Sequence, residues 1–198
     1  MISVALVALF CFTCIGLLIF HLPSIRRSRM TQIGRAIASA VESRSPFMDG
    51  MYREICDLSE QVSRDCGLTR HEAETTKMAA LICDIGLCSV PSAILQKTSE
   101  WTPEEQSLFD RHTEIGASIV RQSPILRRYS TIVQHHHTKF ADEPKTPLEA
   151  RIIGVTADYV RFRRVYGDNR AMTAIERQSG IQYDPEIVGV LKELVTVQ

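Results

Sequence analysis

The sequence predicts an all-α protein, a helical bundle preceded by one N-terminal helix long enough to span a membrane. Three observations carry that expectation. Helix start signals recur: Thr69 with Glu72 has the capping-box pattern, and Thr102-Pro103-Glu104-Glu105, Thr146-Pro147-Leu148-Glu149 and Asp184-Pro185-Glu186 each set a cap before a proline at the first helical position. From Met51 onward apolar residues return at helical spacing, with no strand alternation or hairpin dipeptide between them. Residues Ile2 to Phe20 carry no charge and no proline, and about 20 such residues in a helix cross about 30 Å of hydrocarbon.

No Lys or Arg precedes that apolar run and bulky residues follow it, which favours a retained anchor over residues 1–22 against a cleaved signal or a buried helix. Arg26, Arg27 and Arg29 come next, and the positive-inside tendency then places the C-terminal side in the cytoplasm, as a single-pass protein of the inner membrane. Residues 23–46 read as a juxtamembrane segment. Its narrow stripe of Ile33, Ile37 and Val41 could pack on the domain, lie at the membrane surface or pair with a second copy. Residues 47–198 read as one helical domain, with helices expected near 51–66, 69–84, 102–122, 124–137, 147–164, 170–178 and 185–195. The loops at 85–101 and 138–146 hold most of the irregular sequence.

Lys and Arg number 23 and Asp and Glu number 23, so no net field draws the chain onto a nucleic-acid polymer, and an anionic ligand must be held by local groups. The six cysteines lack zinc-ribbon or knuckle spacing and read as reduced thiols of a cytosolic compartment. Arg161, Arg163 and Arg164 form a small basic patch that reads as the solvated face of its helix.

More telling are polar residues on apolar faces. His112 falls on or beside the line Leu108, Ile115, Ile119, although a lone histidine in such a place is more often a core residue bonded to a backbone carbonyl. Asp158 continues a stripe of Ile152, Val155 and Phe162, where an unpaired carboxylate is costly and needs a cation or a donor network. Asp84 closes the apolar run from Met78 to Ile82. His135, His136 and His137 end a helix, where they could be a solvated polar terminus or could send two rings to one point, and helical geometry expects His137 to be the outward one. Two carboxylates and several imidazoles from different helices make a donor set suited to Mn, Fe, Zn or Mg.

The order of these segments, AALICDIGLCSVPSAILQK, WTPEEQSLFDRHTEIGASIV, IVQHHH, ARIIGVTAD and SGIQYDPEIV, resembles the HD superfamily of metal-dependent phosphohydrolases over roughly residues 51–195. Its HD-GYP branch, bacterial all-helical enzymes that hydrolyse cyclic di-GMP at a centre of two or three metals, is the nearest pattern. The resemblance implies an HD-type bundle in which one divalent metal is held by Asp84, His112, His135 and His136, with Asp84 also the catalytic centre. The second metal position falls on Met51, Cys83, the shared Asp84 and Asp158, so two of its four ligands have changed, and Cys83 could serve there only as a thiolate. The family lysine that steadies phosphate is replaced by Leu87, the upstream glutamate of three-metal members falls near Phe47, and the Gly-Tyr-Pro motif is absent. The expectation is therefore one metal rather than two and a membrane-anchored domain with little or no phosphodiesterase activity. It would act in signalling by binding a cyclic dinucleotide or a protein partner. An active cyclic di-GMP phosphodiesterase-like enzyme is the alternative.

Overall fold

The computed structural model describes residues 4–97 and 99–196. Contacts divide the chain into two units, residues 1–36 and 37–198.

In the first unit, α1 (Val4–Gly16) passes into a π-helical turn, Leu17–His21, and then into α2 (Leu22–Glu42), which runs on into the second unit. The expected membrane anchor is corrected here, and with it the single-pass placement in the inner membrane: among the described residues no helix is long and apolar enough to cross a membrane. The apolar run is divided. At 1.5 Å per residue the 13 residues of α1 reach only about 20 Å, the π turn changes the helical screw, and α2 carries Arg26, Arg27 and Arg29. Ile2 and Ser3, the first residues of the expected anchor, lie outside the described residues.

The second unit is all-α among the described residues. Its helices are α3 (Met51–Asp65), α4 (Arg70–Ile82), α5 (Ser92–Leu95), α6 (Pro103–Asp110), α7 (His112–Gln122), α8 (Ser130–His135), α9 (Leu148–Tyr166), α10 (Asp168–Arg177) and α11 (Pro185–Thr196). The box predicted at Thr69 forms, and the cap predicted at Thr102 is a box as well: the two hydroxyls accept from the backbone N–H of Glu72 and Glu105, whose carboxylates accept in return from the cap backbone. Asp184 likewise accepts from the Glu186 N–H at the head of α11. The third signal acts differently, since the Thr146 hydroxyl donates to the Glu143 carbonyl and the helix starts one residue later than expected. The expected helix over 102–122 is broken at Arg111 into α6 and α7, and a 3-10 turn, Ile85–Ser89, occupies the start of the expected loop.

Helix α9 is the central element. It packs on α3, α4, α8, α10 and α11, and Ile152, Ile153, Val155 and Val160 are buried along it with Ile55 and Val62 of α3, Ile82 of α4 and Leu191 of α11. Burying such side chains stabilises the fold by about 1.5–3 kcal/mol each. Between α3 and α9 the buried hydroxyls of Ser59 and Thr156 hydrogen-bond to one another at 2.6 Å. Two glycines allow close approaches. A Cβ on Gly86 would stand 1.9 Å from the carbonyl oxygen of His112, and one on Gly154 would stand 2.4 Å from that of His136. The 3-10 turn thereby lies directly against the start of α7, and α9 against the end of α8.

Candidate metal centre

Asp84 follows the last turn of α4, His112 opens α7, and His136 and His137 leave the end of α8, so the bundle brings three chain segments to one point. Their ligand atoms all lie within 4.8 Å of one another. Asp84 Oδ1 is 3.1 Å from both His112 Nε2 and His136 Nε2. On the far side of each ring the nitrogen is fixed by the backbone: Nδ1–H of His112 donates to the Phe109 carbonyl at 2.6 Å, and Nδ1–H of His136 to the Val133 carbonyl at 2.7 Å. A carbonyl only accepts, so in the neutral rings both Nε2 atoms present lone pairs to a carboxylate oxygen that is itself an acceptor. Such an arrangement calls for a cation between them. The buried Nε2 atoms of His112 and His137 have no hydrogen-bond partner, as is expected of imidazoles oriented for a metal. Metal–ligand bonds near 2.1 Å at right angles place neighbouring ligand atoms about 3 Å apart, so the 3.1 Å spacings fit a divalent ion.

Two of the three adjacent histidines reach the centre, and the outward one is His135. Helix α8 ends at His135 and the next two residues form a turn, so His137 leaves the 100° helical progression and its ring comes within 5.3 Å of that of His112 and 4.2 Å of that of His136. His135 instead lies partly exposed, with Nδ1 3.2 Å from the Thr138 hydroxyl and 3.7 Å from Glu143. Helical geometry had favoured His137 as the outward ring, and the end of the helix reverses the two.

The second oxygen of Asp84 faces other partners. Oδ2 accepts from the Tyr52 hydroxyl at 2.8 Å and from Arg161 Nη2 at 2.5 Å. Arg161 Nη1 in turn lies 3.0 Å from Asp158 Oδ1, and the Tyr183 hydroxyl donates to Asp158 Oδ2 at 3.0 Å. Asp158 is thus joined to the centre through Arg161 and stands outside the four-residue cluster. Arg161 is not on the solvated face: its spacing of three from Asp158 puts both on one side of α9, the signal by which the sequence could have revealed it. Cys83 is fully buried, its thiol donates to the Ala80 carbonyl, and burial followed by the charge of Asp84 pushes its pKa well up. Met51 and Leu87 are both fully buried in the core.

Burial acts to raise the Asp84 pKa, but the Arg161 charge, aided by the His112 and His136 imidazoles beside Oδ1, outweighs it and holds the carboxyl well below its usual range. Burial, then His136 and Arg161, push the His137 imidazole well below its ordinary value, which keeps it neutral and able to ligate. Beside the centre opens a pocket of about 720 Å³ whose lining includes His112, His137, Asp158, Arg161, Lys139 and Tyr183. That size is within the usual range for small-molecule sites.

Comparison with known proteins gives a consistent picture. The family described as "HD domain" matches residues 35–187. The chain is 30% identical over 153 residues to a cyclic di-GMP phosphodiesterase of Thermotoga maritima, covering 69% of this chain and 42% of that protein. To a cyclic di-GMP phosphodiesterase response regulator of Xanthomonas campestris pv. campestris it is 26% identical, covering 83% of this chain and 47% of the relative. The chain thus spans less than half the length of these relatives. An HDG"Y"P protein of Bdellovibrio bacteriovorus has a similar fold, with a TM-score of 0.66 at 14% identity over 86% of this chain and 64% of that one. The expectation of a membrane-anchored domain that binds without turnover is corrected by these findings: there is no spanning helix among the described residues, the Asp/His cluster is assembled, and the similarity is to phosphodiesterases.

Proposed function

Because the chain belongs to the HD-domain family, we propose that it is a metal-dependent phosphodiesterase of the HD-GYP type whose substrate is a cyclic dinucleotide. The observation that carries this reading is the quartet of buried Asp84, His112 and His136 with half-buried His137, in which the Nε2 atoms of His112 and His137 have no hydrogen-bond partner. A divalent ion held there supplies Lewis acidity toward a phosphoryl oxygen and lowers the pKa of a water molecule. The chain's own groups do the rest. The Phe109 and Val133 carbonyls fix the tautomer and tilt of His112 and His136. Arg161 and Lys139 line the pocket and offer positive charge to a phosphodiester, in place of the lysine whose position Leu87 takes. Asp158, fixed by Arg161 and Tyr183, keeps an acceptor at the pocket wall.

The test is hydrolysis of cyclic di-GMP by the Mn2+-loaded full chain, followed by chromatography of the products. The expected result is turnover that falls by ~10²-fold or more on chelation or in His136→Ala, since the ion and its placement carry most of the charge stabilisation. Turnover indifferent to both treatments would refute the reading.

A further inference from the structure

We propose that Arg161 is the built-in second cation of this centre, its guanidinium lying between Asp84 and Asp158 where a second metal ion would otherwise be held. The inference rests on the phosphodiesterase reading above and adds to it the number and nature of the charges that meet the phosphate.

The geometry of Asp84 is the starting point. Its two oxygens face different partners: Oδ1 looks to the imidazoles at 3.1 Å, and Oδ2 looks to the Arg161 guanidinium at 2.5 Å. Asp158, the other carboxylate that could serve a second ion, is engaged by the same guanidinium at 3.0 Å. A planar group with donors at fixed angles can satisfy two carboxylates at once, which a lysine ammonium does less well. The remaining groups around this place offer nothing a hard divalent ion would take. Met51 is a buried thioether, and the Cys83 thiol is turned to the Ala80 carbonyl. Tyr52 adds a hydroxyl donor to the same Asp84 oxygen that Arg161 holds.

Charge balance points the same way. Two carboxylates, one guanidinium and one divalent ion sum to about +1, which a phosphodiester monoanion neutralises, whereas a second ion beside the retained arginine would raise the sum to about +3. Arg161 also borders the pocket, its side chain 19% exposed. Its charge would therefore stand next to a phosphate bound in the pocket, with no second ion to be recruited or lost.

The experiment is Mn2+ titration with metal analysis and electron paramagnetic resonance on the full chain, comparing wild type, Arg161→Lys and Arg161→His. Wild type and Arg161→Lys should bind about one ion per chain and give the spectrum of an isolated ion. Arg161→His removes the fixed charge and adds an imidazole beside the two freed carboxylates, so it should bind about two ions, with the broadened spectrum of a coupled pair. Two ions in the wild type overturn the assignment on their own, so it stays falsifiable should Arg161→His fail to fold. A single ion in folded Arg161→His also overturns it. The two readings separate in the His136→Ala protein. An ion bound by wild type and lost there supports the quartet whichever way the Arg161 variants turn, while a wild type that binds no ion removes both readings.

Discussion

Replacing Gly86 with alanine tests how closely the metal centre depends on backbone packing. The new methyl carbon would stand 1.9 Å from the His112 carbonyl oxygen and 2.7 Å from the Gly116 nitrogen, against the 3.4 Å at which ordinary contact begins. Both obstacles are backbone atoms, so no rotamer change relieves them, and the 3-10 turn must move from α7 by about 1 Å or more. That movement separates Asp84 from His112, whose ligand atoms lie 3.1 Å apart, while metal–ligand bonds tolerate about 0.2 Å. We expect a loss of about 1–3 kcal/mol from overpacking, seen as a fall in Tm of about 3–10 °C for a domain of this size. Mn2+ affinity should fall by ~10-fold or more, because the two ligands can no longer be reached together. Thermal melts of the chelated protein and calorimetric titration of Mn2+ measure the two effects. Gly189→Ala is the control: nothing lies within 4 Å of its added carbon, and in the exposed part of a helix the change should be neutral or stabilise by up to about 1 kcal/mol. A Gly86→Ala protein that melts and binds Mn2+ like wild type would refute the argument.

Three further expectations follow from the same geometry. His137→Ala should weaken Mn2+ binding by ~10-fold or more while His135→Ala leaves it nearly unchanged, and calorimetry giving the opposite order would reverse the two rings. In the metal-free protein, stability should be full above about pH 6.5 and decline as pH falls below it, because the unfolded chain takes up a proton at His137 that the folded chain resists. The depressed Asp84 pKa adds loss of the same sign at more acidic pH. Urea titrations at pH 7.5 and 5.5 measure this, and His137→Gln should flatten the first part of the slope; an unchanged slope would count against it. Arg151→Met removes the guanidinium that pairs with buried Asp184 and donates to the Thr146 carbonyl at 3.0 Å. It should cost about 3 kcal/mol in chemical denaturation, and a loss under about 1 kcal/mol would show that the pair is solvated.

Much of the helical layout was legible because its signals are local. Thr69 with Glu72 needs only residues three apart and forms the predicted box, and Thr102, read as a cap before Pro103, forms a box with Glu105 as well. Asp84 and His112 could be singled out because each is a polar residue on an otherwise apolar face. What eluded the sequence depends on where helices end or on which side an arginine turns. The exchange between His135 and His137 follows from α8 stopping one residue before His136. Arg161 looked like part of an exposed basic patch because its neighbours Arg163 and Arg164 are also basic. Those two reach Glu54, whereas Arg161 turns inward to two carboxylates. The apolar N-terminal run misled for a related reason: hydropathy counts residues, and the π turn at Leu17–His21 is invisible to it.

The four residues of the quartet come from three places in the chain, Asp84 and His136 being 52 positions apart. An ion held by them ties the end of α4 to both ends of the α7–α8 segment, closing loops whose entropy the bare chain must otherwise recover from packing alone. Occupancy by such an ion at 100 times its dissociation constant adds about 2.7 kcal/mol to the free energy of any opening that breaks the site. Metal supply and local unfolding are then two readings of one equilibrium: when the ion is scarce, α7 and α8 exchange their amide hydrogens and meet proteases first, while the α3–α9 core keeps its protection.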